Sequence, residues 1–291
     1  MDKNKINWTP YILLIPWIIG MLTFRVYPIV ISFWYSLNDF HILGDPVFIG
    51  LDNYRNIFTN DATFRRSFMA TTRYVLIGTP AVLISAFSIA FVLNFKLKGV
   101  NLFRTAYYIP SILGGNVAVS ILWTMLFNVN GPVNIVLGAF GIQPIFWTTT
   151  ETFAVYTLII LSAWQFGSTM LIFLAALQNV SPSLYEAASI DGAKRMRTLF
   201  SITIPIITPV ILFNTVNVLV RGFQEFNSAF LITGGGPNQS TYFLNLYIYE
   251  MAFVRGNYGY ASALTWILLM SIGVLTAILF SSSKYWIHYN D

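Results

Sequence analysis

SPSLYEAASIDGAKRMR, residues 181–197, carries two acids, three bases and a run of small residues around Gly192, between two long apolar stretches. Its local chemistry reads as a short helix with a defined stop. Ser181 is placed to cap it, with Pro182 at the first helical position, where a missing N–H costs nothing. Alternatively, Ser183 caps it and Glu186, three residues on, closes a capping box. Leu184, Ala187 and Ala188 fall on one face by i, i+3, i+4 spacing, and that face is shallow because alanine is small. Asp191-Gly192 reads as the stop, since glycine best accepts a left-handed C-terminal turn. Lys194, Arg195 and Arg197 follow, and the chain re-enters apolar sequence at FSITIPIITP. Such a segment is either a solvated loop between membrane spans or a rigid contact for a partner.

The rest of the chain has membrane composition. Of 291 residues, 56% are hydrophobic and 9% are charged, whereas a soluble domain carries about 25% charged residues. Aromatics reach 17%, as expected where Trp, Tyr and Phe anchor spans at the interfaces. With no Cys, disulfides and thiolate ligands are excluded. The net charge of +5 does not point to nucleic acid, because the bases are scattered through short loops. MDKNKINWTPYILLIPW opens like a signal peptide but has no small-residue cleavage site, so it reads as an uncleaved first span.

A spanning helix needs about 20 mostly apolar residues. Six stretches meet that length, roughly 11–37, 73–95, 105–128, 152–177, 202–222 and 262–283, giving an all-α integral membrane protein formed as a single transmembrane domain over 1–291. Several are interrupted: by Arg25 and Tyr27-Pro28 in the first, Pro110, Gly114 and Gly115 in the third, and Pro205 and Pro209 in the fifth. Six crossings put both termini on one side, together with loops 96–104 and 178–201. That side holds Lys3, Lys5, Lys96, Lys98, Arg104, Lys194, Arg195, Arg197 and Lys284, against Arg55, Arg65, Arg66, Arg73 and Arg255 on the other. Nine against five makes the termini and the 181–197 segment cytoplasmic by the positive-inside rule. The longer external loops, near 38–72 and 223–261, look too small for independent domains.

EAASIDGAKRMRTLFSITIP resembles the signature loop of binding-protein-dependent ABC importer permeases. Glu186, Ala187, Ala188, Asp191, Gly192, Ala193, Ile202 and Pro205 match its pattern, with Ile204 where leucine is usual. The resemblance implies the type I importer permease fold. It also implies that the segment from Tyr185 to Ala193 is a coupling helix docked in a cleft of a cytoplasmic ATPase. LITGGGPNQSTYFLNLYIYEMAFVRGNYGYASALTW is similar to the carbohydrate-uptake branch, of the maltose and glycerol-3-phosphate type, through Thr233, Gly234, Gly235, Gly236, Pro237, Ser240, Thr241, Tyr249, Ala252, Phe253, Gly259, Ala261, Ser262 and Ala263. Tyr27-Pro28, Ser36 and FIGLDNYRNIF fit that branch too, so the likeness covers nearly the whole chain. It implies a heterodimer with a second six-span permease, two ATPase subunits that hold ATP and magnesium, an extracellular solute-binding protein, and a bacterial cell membrane location. No cofactor is implied in this chain. The alternative reading of Gly234–Pro237 is a flexible external loop.

Ionisable groups inside a membrane tend to face cavities or partners. On the fifth span Asn214, Asn217, Arg221 and Gln224 recur every three to four residues as one polar stripe, with Glu225 beside it. Amides and a guanidinium suit sugar hydroxyls or a phosphate. Trp164, Gln165 and Thr169 on the fourth span offer a stacking face and hydrogen bonds. The competing reading is helix–helix hydrogen bonding. No catalytic or metal constellation is present, the two histidines being His41 and His288. Three functions remain: a sugar permease driven by a separate ATPase, an ion-gradient-driven transporter, or a membrane scaffold. The absence of a visible repeat and of an acid well inside a span argues against the second, and the polar stripe argues against the third.

Overall fold

The computed structural model describes residues 9–95 and 99–287; Lys3, Lys5, Lys96, Lys98 and His288 lie outside them. In chain order the elements are α1 (Pro10–Ser36), the strand pair β1 (Asn38–Asp39) and β2 (Val47–Phe48), α2 (Asp52–Thr59), α3 (Ala62–Leu93), α4 (Val100–Leu113), α5 (Val117–Leu126) and α6 (Pro132–Ala139). They continue with α7 (Glu151–Trp164), α8 (Gly167–Gln178), α9 (Pro182–Ile190), α10 (Arg195–Phe223), α11 (Leu244–Val254) and α12 (Tyr258–Ser283). Among the described residues the secondary structure is helical apart from this two-residue strand pair. The helices α1, α3, α10 and α12 are each long and apolar enough to cross a membrane, and the pairs α4–α5 and α7–α8 bring the number to six if each counts as one span.

The helices depart from the expected spans where physics other than hydropathy acts. Helix α3 starts at Ala62, well before position 73, because helical structure continues through Arg65 and Arg66. Helix α10 starts at Arg195, so the expected 178–201 loop is mostly helical. Two expected interruptions are single wide turns instead of breaks. Tyr27 donates to the Leu22 carbonyl and Ile204 to the Leu199 carbonyl, five residues back, and a proline follows each. Proline supplies no N–H and crowds the carbonyl four residues earlier, and one wide turn accommodates both defects. The third stretch does break. Helices α4 and α5 meet at 106°, across Gly114 at φ 59°, ψ −164°, a region open essentially to glycine. Helices α7 and α8 meet at 46°.

The contacts fall into two compact units, residues 1–61 with 248–267, and 62–247 with 268–291. In the first, the two expected external loops pair with each other. Ile42 donates to the Gly256 carbonyl (2.9 Å) and Gly259 to Phe40 (3.1 Å), while the Tyr260 hydroxyl donates to Asp61 (2.6 Å). Between Pro10 and Tyr35 of α1 no residue is buried.

In the second unit, Val82, Ala86, Ala90 and Leu93 of α3 pack on Met170, Phe173, Leu174 and Leu177 of α8 and on Ile207 and Val218 of α10. Ala86 and Ala90 are fully buried, and small residues let helices approach closely where lipid gives no hydrophobic drive. Large apolar side chains point outward instead, among them Ile84, Met270 and Val274.

Candidate functional site

Helix α9 forms as a nine-residue element with Ser181 at its N-cap and Pro182 at N1. The Ser181 hydroxyl meets the Ser183 hydroxyl at 2.8 Å rather than a backbone N–H. With the cap at Ser181, Leu184 occupies the box position, so Glu186 closes no capping box; it is exposed two residues further in. The other end is a complete Schellman stop. Gly192 takes φ +70°, its N–H reaches the Ser189 carbonyl (3.1 Å), and the Ala193 N–H reaches Ala188 (2.9 Å). Leu184, Ala187 and Ala188 do not form one free face: Ala188 is buried, whereas Leu184 and Ala187 are exposed. The outward side carries Ser183, Glu186, Ala187 and Ile190, and the inward side Tyr185 and Ala188.

Behind α9 lies a cavity of about 300 Å³, lined in part by Phe95, Tyr185, Ser189, Ala193, Arg195 and Thr203. The Tyr185 and Thr203 hydroxyls are 3.2 Å apart, and the Arg195 guanidinium lies 5.3 Å from the centre of the Phe95 ring. The helix is therefore joined by side chains to the first turns of α10 as well as by the four residues Asp191–Lys194.

The polar stripe of α10 divides. Asn214 is buried and its amide donates to the Thr169 carbonyl of α8 (3.5 Å). It is thus a helix–helix contact within the chain, and Thr169 is its buried partner. Asn217 is half-buried and bonds its own helix at the Phe213 carbonyl (2.8 Å). Arg221 and Gln224 are exposed, and the Gln224 carbonyl accepts from the Asn245 amide (3.0 Å). Trp164 packs against Trp123 with ring centroids 5.5 Å apart and the rings tilted by 35°, and Gln165 donates to the Gly114 carbonyl at the α4–α5 break (3.0 Å).

Gln165 leads to the part of the site that sequence reading missed. A small polar cavity of about 90 Å³ is lined by Tyr74, Gly115, Leu161, Ser162, Gln165, Glu225, Asn227 and Ser228. The α4–α5 break, the α7–α8 break and the end of α10 all meet there. A signal was present: Asn116 after two glycines caps a new helix, its Oδ1 accepting the Val119 N–H (2.8 Å), and a helix start inside an apolar run marks a discontinuous span. Glu225 Oε1 accepts from the Ser228 N–H (3.0 Å) and hydroxyl (2.7 Å).

The glycine segment is tied down rather than loose. Gly234 and Gly235 both have positive φ, and a Cβ on Gly235 would lie 2.6 Å from a Tyr242 ring carbon. Thr241, fully buried, bonds the Gly236 carbonyl (2.8 Å) and the Thr233 hydroxyl (2.7 Å). The Asn238 amide donates to Glu151 (2.8 Å), and Pro237 accepts from Ser240 (2.9 Å). Among the described residues no three His, Asp or Glu are grouped to hold a metal.

Residues 74–288 match the family described as the binding-protein-dependent transport system inner membrane component. The chain is 44% identical to the probable ABC transporter permease protein YesP of Bacillus subtilis, covering 99% of this chain and 94% of that protein. It is 32% identical to the lactose transport system permease protein LacF of Rhizobium radiobacter, covering 97% and 96%. Its fold is that of a chain of the bacterial alginate ABC transporter solved with an alginate pentasaccharide-bound periplasmic protein, at a TM-score of 0.80 and 22% identity, over 95% and 94% of the two chains. Of the three functions open from the sequence, these findings fit the sugar permease. The chain belongs to the binding-protein-dependent inner membrane components: it is a multi-pass permease of a sugar ABC importer and not an enzyme.

Proposed function

We infer that this permease carries an oligosaccharide along the seam where its broken spans meet α10, and that α9 couples the passage to ATP hydrolysis on a partner. The observation that carries the route is the convergence of two helix breaks and a helix end on one polar cavity. Discontinuous helices expose unsatisfied backbone groups, which membranes tolerate only where protein or a water-filled path receives them. Asn217, Arg221 and Gln224 continue that polarity along α10; Trp164 offers a ring face and Gln165 a fixed amide beside it.

In this reading the termini and α9 are cytoplasmic, and two ATPase subunits holding ATP and magnesium dock on the outward side of α9. The Tyr185–Thr203 contact supports the coupling role, because a push on α9 reaches α10 through side chains with little slack. A second, different permease completes the pathway, and an external binding protein delivers the sugar, as the pairing of the alginate transporter with its periplasmic protein supports by analogy. The ordered segment Gly234–Pro237 lies on that external side. The route is tested with Asn217→Trp, which places a large ring in the seam without removing the buried Asn214 contact. Sugar uptake should be lost while the complex still co-purifies; wild-type uptake would remove the seam from the route.

A further inference from the structure

Between Arg104 and Glu151 the chain carries no charged residue. The part that links α5 to α7, residues 127–150, is not a span: it folds as the eight-residue α6 with irregular segments on either side. Helix α6 has two unlike sides. Inward, Asn134 is buried, and Val133 and Trp147 pack on Trp123 and Phe127. Outward, Ile135, Val136 and Phe140 stand clear, Phe140 being 79% exposed, and Ile142 and Phe146 of the following segment are exposed as well. The segment is satisfied without water. The Asn134 amide donates to the carbonyls of Asn128 (3.3 Å), Val129 (3.1 Å) and Ile145 (2.8 Å), and its Oδ1 accepts from the Ile145 N–H (3.0 Å) and the Trp147 indole (3.1 Å). The end of α6 closes on itself too, with Gly141 at φ +77°, its N–H on the Gly138 carbonyl (3.0 Å) and that of Ile142 on Leu137 (3.1 Å). A solvated loop has water for these groups, whereas lipid requires that the chain supply the partners itself. The surroundings agree. Tryptophan is enriched at the interface level of a bilayer, and α6 sits on two of them. An open groove of about 450 Å³, lined in part by Leu122, Met125, Leu126, Gly131 and Pro132, joins α6 to α5, a member of a pair apolar enough to cross a membrane. A protein partner would form about one hydrogen bond per 100–200 Å², but the side chains of Ile135, Val136, Ala139 and Phe140 hold no donor or acceptor.

We propose that α6 lies in the lipid surface as an in-plane anchor, in the leaflet opposite α9, with α7–α8 crossing between them as one span. Ile135, Val136, Ala139 and Phe140 enter the acyl boundary, about 5–10 Å deep as for other interfacial helices, while the exposed amides of Asn130 and Gln143 stay at headgroup level. Such helices ordinarily carry Lys or Arg and prefer anionic lipid; this segment has neither, so its hold does not depend on headgroup charge. Through Trp123, whose indole donates to the Thr157 carbonyl of α7 (3.1 Å), the anchor ties both broken pairs to one depth in the bilayer. It is independent of the solute route.

The test uses the whole importer, both permeases with ATPases, in proteoliposomes, with the partner chains made cysteine-free. This chain has no cysteine, so Ile135→Cys and Ala139→Cys, four residues apart on the exposed side, can each carry one environment-sensitive fluorophore. The free cysteine adduct of the fluorophore in buffer is the aqueous reference. Vesicles are made of phosphatidylcholine alone or with phosphatidylglycerol, each with and without a doxyl group near the headgroup end of the acyl chains. Both sites should emit to the blue of the reference, lose intensity severalfold in doxyl vesicles and barely respond to iodide, alike in neutral and anionic lipid. Ala139→Cys changes the surface least and supplies the reading if Ile135→Cys fails to assemble. Quenching by iodide with none by doxyl lipid would put this face in water, and shielding from both quenchers would put a protein on it; either result overturns the anchor. So would shielding that appears only when the binding protein is added, or engagement confined to the anionic vesicles, which no cation on this segment could cause.

Discussion

Gly192 has room for a side chain but not the backbone for one. Nothing lies within 4 Å of a Cβ built there, while φ is +70°, which costs most L-residues about 1–2 kcal/mol. Asparagine and aspartate tolerate that conformation better than other residues and have nearly the same size. The pair therefore separates backbone strain from charge. Gly192→Asn should keep most sugar-stimulated ATP hydrolysis. Gly192→Asp should lose it and release the ATPase in pull-downs, because it places a second acid beside Asp191 at the proposed contact. Equal hydrolysis by the two variants would return 181–197 to a solvated loop. The glycine's role was legible because few residues accept such a turn. The facing of Ala188 and Asn214 was not. Helical spacing shows which residues share a face, but only the neighbouring helix decides that Ala188 is covered and that Asn214 meets the Thr169 carbonyl.

Among the elements, the close approach of α8 to α4 rests on Gly167. A Cβ there would lie 2.7 Å from the Tyr107 carbonyl oxygen and 2.8 Å from the Tyr108 Cα, both backbone atoms that cannot swing aside. Gly167→Leu should lower the melting temperature and yield of the purified complex, an overpacking cost of about 1–3 kcal/mol or more. Gly138→Leu, where nothing lies within 4 Å, is the matched control and should leave both unchanged. If Gly167→Leu melts with wild type, α8 and α4 are not held at this distance in the membrane. Six apolar stretches were readable because the bilayer imposes a length. Their ends were not: the apolar stretches begin near positions 73 and 202, whereas the helices begin at Ala62 and Arg195 and run through Arg65, Arg66 and Arg197. The prolines and glycines of the interrupted spans were equally visible, yet Pro28 and Pro205 follow wide turns while Gly114 allows a sharp bend, and composition alone does not separate the two outcomes.

At the scale of the molecule, the proposed coupling of α9 requires the orientation that the positive-inside count implies, and the basic asymmetry behind that count is concentrated in few residues. Of the nine bases assigned to the terminal side, Lys3, Lys5, Lys96 and Lys98 form two close pairs, and the other five equal in number the five opposite. The proposed orientation therefore rests on two short lysine pairs, one ahead of α1 and one between α3 and α4, each close in sequence to the end of a span, where such charges act most strongly. The chain has no cysteine, so single cysteines can report sidedness without background. Gly44 is exposed with nothing within 4 Å, and Ile190 and Lys284 are exposed. A membrane-impermeant maleimide should label Gly44→Cys on intact cells, and label Ile190→Cys and Lys284→Cys only after permeabilisation. Replacing Lys3, Lys5, Lys96 and Lys98 together by glutamine should weaken that pattern and give mixed labelling. Labelling of Ile190→Cys on intact cells would place α9 outside, away from any ATPase, and the coupling role would fall even with the fold and the family unchanged.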